Sequence, residues 1–122
     1  MRILFLDDDP RRHAEFARLA HGHSIVHAWR VDEATALLDE ARFDLCCLDN
    51  DLETESYERE GLEVARHIAA APRSRRPGGV LIHSWNETRA RQMYEVLSPL
   101  YGERSLSQIR FGEFTSVGDE SP

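Results

Sequence analysis

Short apolar runs alternate along this chain with stretches whose apolar residues recur at three- and four-residue spacing. The first run, Ile3-Leu4-Phe5-Leu6, follows Arg2 and is stopped by Asp7-Asp8-Asp9. A continuous apolar run of about 4 residues, bounded by polar turn residues, fits a strand buried on both faces of a parallel sheet. Pro10 suits a first helical turn, and Phe16, Leu19 and Ala20 give that helix an apolar face before Gly22 ends it. Ser24 to Trp29 reads as a second strand. Asp32 is placed to cap a second helix bearing Ala34, Leu37, Leu38 and Ala41. Leu45-Cys46-Cys47-Leu48 reads as a third strand, again stopped by acid at Asp49-Asn50-Asp51. After a polar stretch from Asn50 to Glu60, Leu62, Val64, Ala65 and Ile68 mark a third helix that stops before Pro72. Gly78-Gly79 leads into a fourth strand, Val80 to His83. A fourth helix starts near Asn86, carries Met93, Val96 and Leu97 on one face and ends before Pro99. Ile109 and Phe111 suggest a short fifth strand, and residues 112–122 read as a polar, frayed tail.

Five strands interleaved with four helices predict a doubly wound α/β fold. Its five-stranded parallel sheet would have the flavodoxin-like order 2-1-3-4-5, without a final helix. A chain of 122 residues holds one such core, expected over residues 1–111. In open sheets of this kind a ligand sits beyond the carboxyl ends of the strands, where strand order reverses. The two acid-terminated strands would be neighbours there, gathering Asp7, Asp8 and Asp49 at one spot. Like charges that close raise one another's pKa unless a cation neutralises them. A hard divalent ion, Mg²⁺ or Mn²⁺, suits a set of carboxylate oxygens. Either run alone is better explained by solvated turn and capping residues; the two together favour an acidic site.

Composition narrows the classes further. A formal charge of −7 argues against bulk binding to nucleic acid or to an anionic membrane. Arg73, Arg75 and Arg76 do cluster, but Pro72 and Pro77 bracket them in what reads as a solvated loop. Cys46 and Cys47 are adjacent in a strand, point to opposite faces and cannot form an ordinary disulfide. They read as core residues of a protein in a reducing compartment. The apolar segment after Arg2 is too short for a signal peptide or a membrane span, so a soluble cytoplasmic protein is expected. All fifteen basic residues are arginine, which excludes any mechanism that requires a lysine ammonium.

Three segments together resemble the receiver domains of bacterial two-component response regulators: Ile3–Pro10 (ILFLDDDP), Asp44–Asp49 (DLCCLD) and Gly61–Val64 (GLEV). The resemblance runs from Arg2 to Phe111. It implies that Asp7 and Asp8 bind Mg²⁺, that Asp49 accepts phosphate, and that Asp51 offers its backbone carbonyl to the metal. It also implies that Ser84 contacts a phosphoryl group. Receivers carry a lysine after the fifth strand; here Arg110 stands near that place, with a different reach and geometry. A narrower resemblance rests on Leu6-Asp7-Asp8, on Leu48-Asp49-Asn50-Asp51-Leu52, and on His83-Ser84-Trp85-Asn86 followed by Met93. These motifs are similar to those of receiver-like domains held to process cyclic phosphates. Members often have His where this chain has Asn50.

The residues themselves leave alternatives open. Asp7 reads as a ligand through water or as the start of a turn, and Asp51 as a ligand or a cap. His83 is a proton carrier or a hydrogen-bonded core residue. Ser84 and Asn86 bind phosphate or cap the fourth helix. Trp85 is a stacking platform or a packed residue. His21 and His23 share a ligand-like spacing but lie at the wrong end of their strand. A calcium loop using Asp49, Asp51, Glu53, Glu55 and Glu60 fails because Thr54 stands where a glycine is required. Three functions follow from this reading. The first is a metal-dependent enzyme or binder acting on cyclic phosphates or phosphodiesters, with Asp49 and His83 catalytic and Ser84, Asn86 and Arg110 on the phosphate. The second is a response-regulator receiver phosphorylated on Asp49 that signals to a partner protein. The third is a degenerate receiver used for docking. A missing last helix would leave apolar surface for a homodimer.

Overall fold

The computed structural model describes residues 1–50, 52, 60–84 and 86–108. Expectations for Asp51, Trp85, Ile109, Arg110, Phe111, the 112–122 tail and an absent final helix lie outside the described residues. The elements run β1 (Arg2–Leu6), α1 (Pro10–Leu19), β2 (Ser24–Ala28), α2 (Val31–Glu40), β3 (Leu45–Leu48), α3 (Gly61–Ala70), β4 (Gly79–Ile82), α4 (Glu87–Leu97) and β5 (Leu106–Gln108). A short 3₁₀ turn occupies Arg73–Arg75. The five strands form one parallel sheet in the order β2-β1-β3-β4-β5, as the alternation of strand and helix patterns predicts.

Strand alternation divides the core into two layers. Leu4, Leu6, Cys46, Leu48, Val80 and Ile82 pack with buried residues of α2, α3 and α4, among them Leu38, Val64, Ile68 and Met93. On the opposite face Ile3, Phe5 and Cys47 meet Phe16 of α1 and Ala20, its C-terminal cap. Cys46 and Cys47 therefore do face opposite layers, and both are fully buried. Burial pushes both thiols well above their ordinary pKa and keeps them protonated.

Several boundaries differ from expectation; the fourth strand runs Gly79–Ile82, so His83 follows it and does not end it. The start of α2 is Val31, with Arg30 rather than Asp32 at the capping position. Burying Val31 completely draws the helix start forward. Asp32 then sits in the first turn, where its carboxylate is favoured by the helix dipole and pairs with Arg30 at 2.6 Å. The second strand ends at Ala28, leaving Trp29 outside it to stack on His13. The fifth strand lies at Leu106–Gln108, ahead of the expected Ile109. Only Leu106 is buried there, because an edge strand has one neighbour and shows no continuous apolar run.

Candidate functional site

Register builds the site. Leu6 pairs with Leu48, and Leu48 with Ile82, so the next residues, Asp7, Asp49 and His83, stand side by side at the carboxyl edge. The ladder continues through them: Asp49 N–H donates to Leu6 O at 3.1 Å and His83 N–H to Leu48 O at 3.0 Å. Alternation aims all three side chains at the layer that α1 covers. Asp7 is fully buried, and Asp49 and His83 nearly so. Carboxylate oxygens of Asp7, Asp8 and Asp49 all lie within 4.8 Å of one another. The expected acidic trio is thus assembled.

A residue that sequence reasoning did not single out stands in the middle of it. Arg12, one turn into α1, donates from Nε to Asp7 Oδ2 at 2.7 Å and from Nη2 to Asp7 Oδ1 at 2.9 Å. The same Nη2 is 3.5 Å from Asp8 Oδ1 and 3.6 Å from Asp49 Oδ2, and Nη1 is 3.4 Å from Asp9 Oδ2. The Asp7 hydrogen bond and the surrounding carboxylates push the guanidinium above its already high pKa. Spacing carried the signal: Arg12 is four residues after Asp8 and three after Asp9, on the helix that Asp9 caps by accepting from Arg11 N–H at 2.8 Å. Asp7 Oδ1 also accepts from Asp9 N–H at 2.9 Å, which fixes the turn.

His83 lies behind the acids. Its Nδ1 is 3.7 Å from Asp7 Oδ2, and its ring stacks on Phe5 with centroids 5.0 Å apart. Burial, reinforced by the positive Arg12, pushes its pKa down to about 3, so the ring is neutral at pH 7. His13 braces the backbone from the other side, with Nε2–H donating to Asp7 O at 2.7 Å. That tautomer leaves His13 Nδ1 as an acceptor for His27 Nδ1, 2.6 Å away. Burial holds the pKa of both rings down.

Ser84 and Asn86 meet the site through the entry to α4. Ser84 Oγ accepts from Asn86 N–H at 3.1 Å, and Asn86 Oδ1 accepts from Arg89 N–H at 3.1 Å, so Asn86 is the helix cap. Across the rim Arg89 pairs with Glu60 at 3.3 Å, joining the start of α4 to that of α3. Asn50 does not face the trio. It is buried and accepts twice from the first turn of α3: from Gly61 N–H on its carbonyl and from Leu62 N–H on Oδ1, each at 3.0 Å. Gly61 allows this close approach, since a Cβ there would stand 2.0 Å from Asp49 O. His21 and His23 lie away from the site; His23 Nδ1 meets the N-terminal amine at 2.9 Å.

A five-stranded parallel sheet with acids gathered at its switch point defines a receiver-type domain. The family model of the cyclic-phosphate processing receiver domain matches residues 2–99, and the chain belongs to that family. Comparison with curated protein sequences finds no match. Among solved structures the chain is similar to a response regulator protein from Burkholderia pseudomallei, crystallised with a phosphorylated aspartic acid, a calcium ion and citrate. The TM-score is 0.64 at 19% identity, over 88% of this chain and 58% of that one. That likeness supports the fold, and the chain spans little more than half the length of this neighbour. Among the described residues no helix is long and apolar enough to cross a membrane.

Proposed function

We propose that this receiver domain is a divalent-metal-dependent phosphate-handling module that hydrolyses or binds cyclic phosphates or phosphodiesters, the class named by its family. The observation that carries this reading is the convergence of Asp7, Asp8 and Asp49 within 4.8 Å at the switch point. Their donor atoms are all carboxylate oxygens. Their span matches the roughly 4–5 Å between oxygens on opposite sides of a six-coordinate Mg²⁺ or Ca²⁺ ion. Mg²⁺ or Mn²⁺ held by Asp8 and Asp49, with Asp7 in support and Asp51 as a further ligand, would polarise a phosphate oxygen or activate water.

The protein's own groups have distinct tasks in this reading. Asp49, at the strand end, faces the reacting phosphate. His83 is neutral and therefore enters as a proton acceptor, though a pKa near 3 makes it a weak base, and Asp49 shares that candidacy. Ser84, Asn86 and Arg110 orient the phosphate, the first two from the entry to α4. Turnover of a panel of cyclic phosphodiesters, followed by ³¹P NMR with and without Mn²⁺ or Mg²⁺, tests the proposal. Metal-dependent product that disappears in Asp49→Ala is expected. His83→Ala should abolish turnover while retaining metal affinity, and equal turnover by that variant would remove His83 from the mechanism.

A second reading draws support from the phosphorylated aspartate of the response-regulator neighbour. Under it Asp49 takes a phosphoryl group and a partner protein reads the altered surface. Incubation with Mg²⁺ and an acyl phosphate would then add one phosphoryl mass, lost in Asp49→Ala. Neither turnover nor phosphorylation, in a folded protein that also shows no metal affinity, would leave a docking module.

A further inference from the structure

The acidic trio carries a formal charge of −3, and Arg12 brings one positive charge into it. The remaining charge of −2 matches a single divalent ion, so guanidinium and metal are complementary in number but not in position. Nη2 stands within 3.6 Å of all three carboxylates, in the space a shared ion would need. Only the two bonds to Asp7 have the short, parallel geometry of a fork on a carboxylate, at 2.7 and 2.9 Å. The contacts to Asp8 and Asp49 are longer and looser. The side chain is about a quarter exposed, which gives the guanidinium a route toward the mouth of the site. The chain contains no lysine. Among the described residues Arg12 is the cation in ion-pair range of the trio, while the nearby Arg89 is engaged with Glu60.

We infer that Arg12 is a phosphate-positioning residue that changes partners. It holds Asp7, Asp8 and Asp49 together in the metal-free protein, yields Asp8 and Asp49 to a divalent ion, and then presents its outer N–H groups to the substrate's phosphate oxygens while Asp7 keeps its grip. This inference rests on the metal-dependent reading above and deepens it. Arginine suits the role, because its planar fork serves a carboxylate on one edge and a phosphate on the other. Arg12 positions the phosphate and is not itself assigned a proton or a bond-making step.

The role makes two effects of one substitution run in opposite directions. Arg12→Gln removes a cation that competes with the metal, so Mn²⁺ affinity, measured by calorimetry in phosphate-free buffer, should tighten about tenfold. The same change removes a phosphate ligand, so binding of inorganic phosphate to the Mg²⁺-loaded protein should weaken at least tenfold. A purely structural arginine would instead lose both affinities together. In the wild type, the Arg12 Nε–H resonance should shift on adding Mg²⁺ and again on adding phosphate, and this measurement does not depend on the variant folding. Parallel loss of both affinities, no change in either, or no second NMR shift would overturn the role of Arg12 alone. Wild type that binds no metal would overturn the metal-dependent reading and this inference with it.

Discussion

Replacing Gly61 by alanine tests whether the entry to α3 is what holds Asp49 in place. The added Cβ would stand 2.0 Å from Asp49 O and 2.8 Å from Asn50 Cα, both backbone atoms at the end of β3. Those atoms cannot give way easily, because Asp49 N–H is bonded to Leu6 O at 3.1 Å in the middle of the sheet. The helix must retreat by over an ångström to restore ordinary contact. The bonds from Gly61 and Leu62 to Asn50, both 3.0 Å, would go with it. Each lost bond is worth about 1 kcal/mol, and forced repacking costs about 1–3 kcal/mol more. Alanine's better helix propensity returns at most about 1 kcal/mol. A net destabilisation of about 2–4 kcal/mol follows, which for a domain of this size lowers Tm by on the order of 10 °C. Urea and thermal unfolding read this directly. Gly102→Ala, where a Cβ would meet nothing within 4 Å, is the control. It should stay within about 0.5 kcal/mol of wild type. A Gly61→Ala protein melting within about 2 °C of wild type would refute the reasoning.

Two further outcomes are expected. Millimolar Mg²⁺ or Mn²⁺ should stabilise the fold by mass action, by about 2.7 kcal/mol at a hundredfold excess over Kd, and so raise Tm, and Asp49→Asn should blunt the rise; no shift in wild type with either ion would mean that the trio is not a metal site. Tyr101 donates to Pro77 O at 2.8 Å, and burial pushes its pKa up to about 12 from an ordinary value near 10. Its folded form therefore favours the phenol: that stability is complete below pH 10 and lost as pH rises toward 12, and Tyr101→Phe should flatten this alkaline slope in unfolding experiments.

The sheet was legible because its central strands are buried on both faces and so appear as unbroken apolar runs. Ile3 to Leu6 and Leu45 to Leu48 are of this kind, and each is followed by a helix with its own period. Leu106-Ser107-Gln108 was not legible, since an edge strand with one buried side chain has no such pattern. The acid trio could be read once strand order was known, because strands that end together bring their next residues together. Arg12 could not be read in the same way. Its long side chain reaches back over a turn, and its target depends on which face Asp7 and Asp49 present. Helix capping is the harder case: Asn86 caps α4, as its residue type allows, whereas buried Val31 overrides Asp32 at α2.

Placing a carboxylate as deep as Asp7 would be costly if it depended on an ion that comes and goes. A buried charge that loses its partner destabilises a fold by about 3–5 kcal/mol. Asp7 avoids this through partners on its own chain: two hydrogen bonds from Arg12 and one from the backbone N–H of Asp9. Asp8 and Asp49 have the longer contacts to Arg12, and in the proposed metal-dependent reading they are the main ligands, with Asp7 in support. In that reading the site separates two tasks that many metal centres combine. One carboxylate anchors the fold, and the other two are held near enough to receive an ion without requiring it. On that reading the fold does not require the ion, and an ion that binds adds to its stability by mass action.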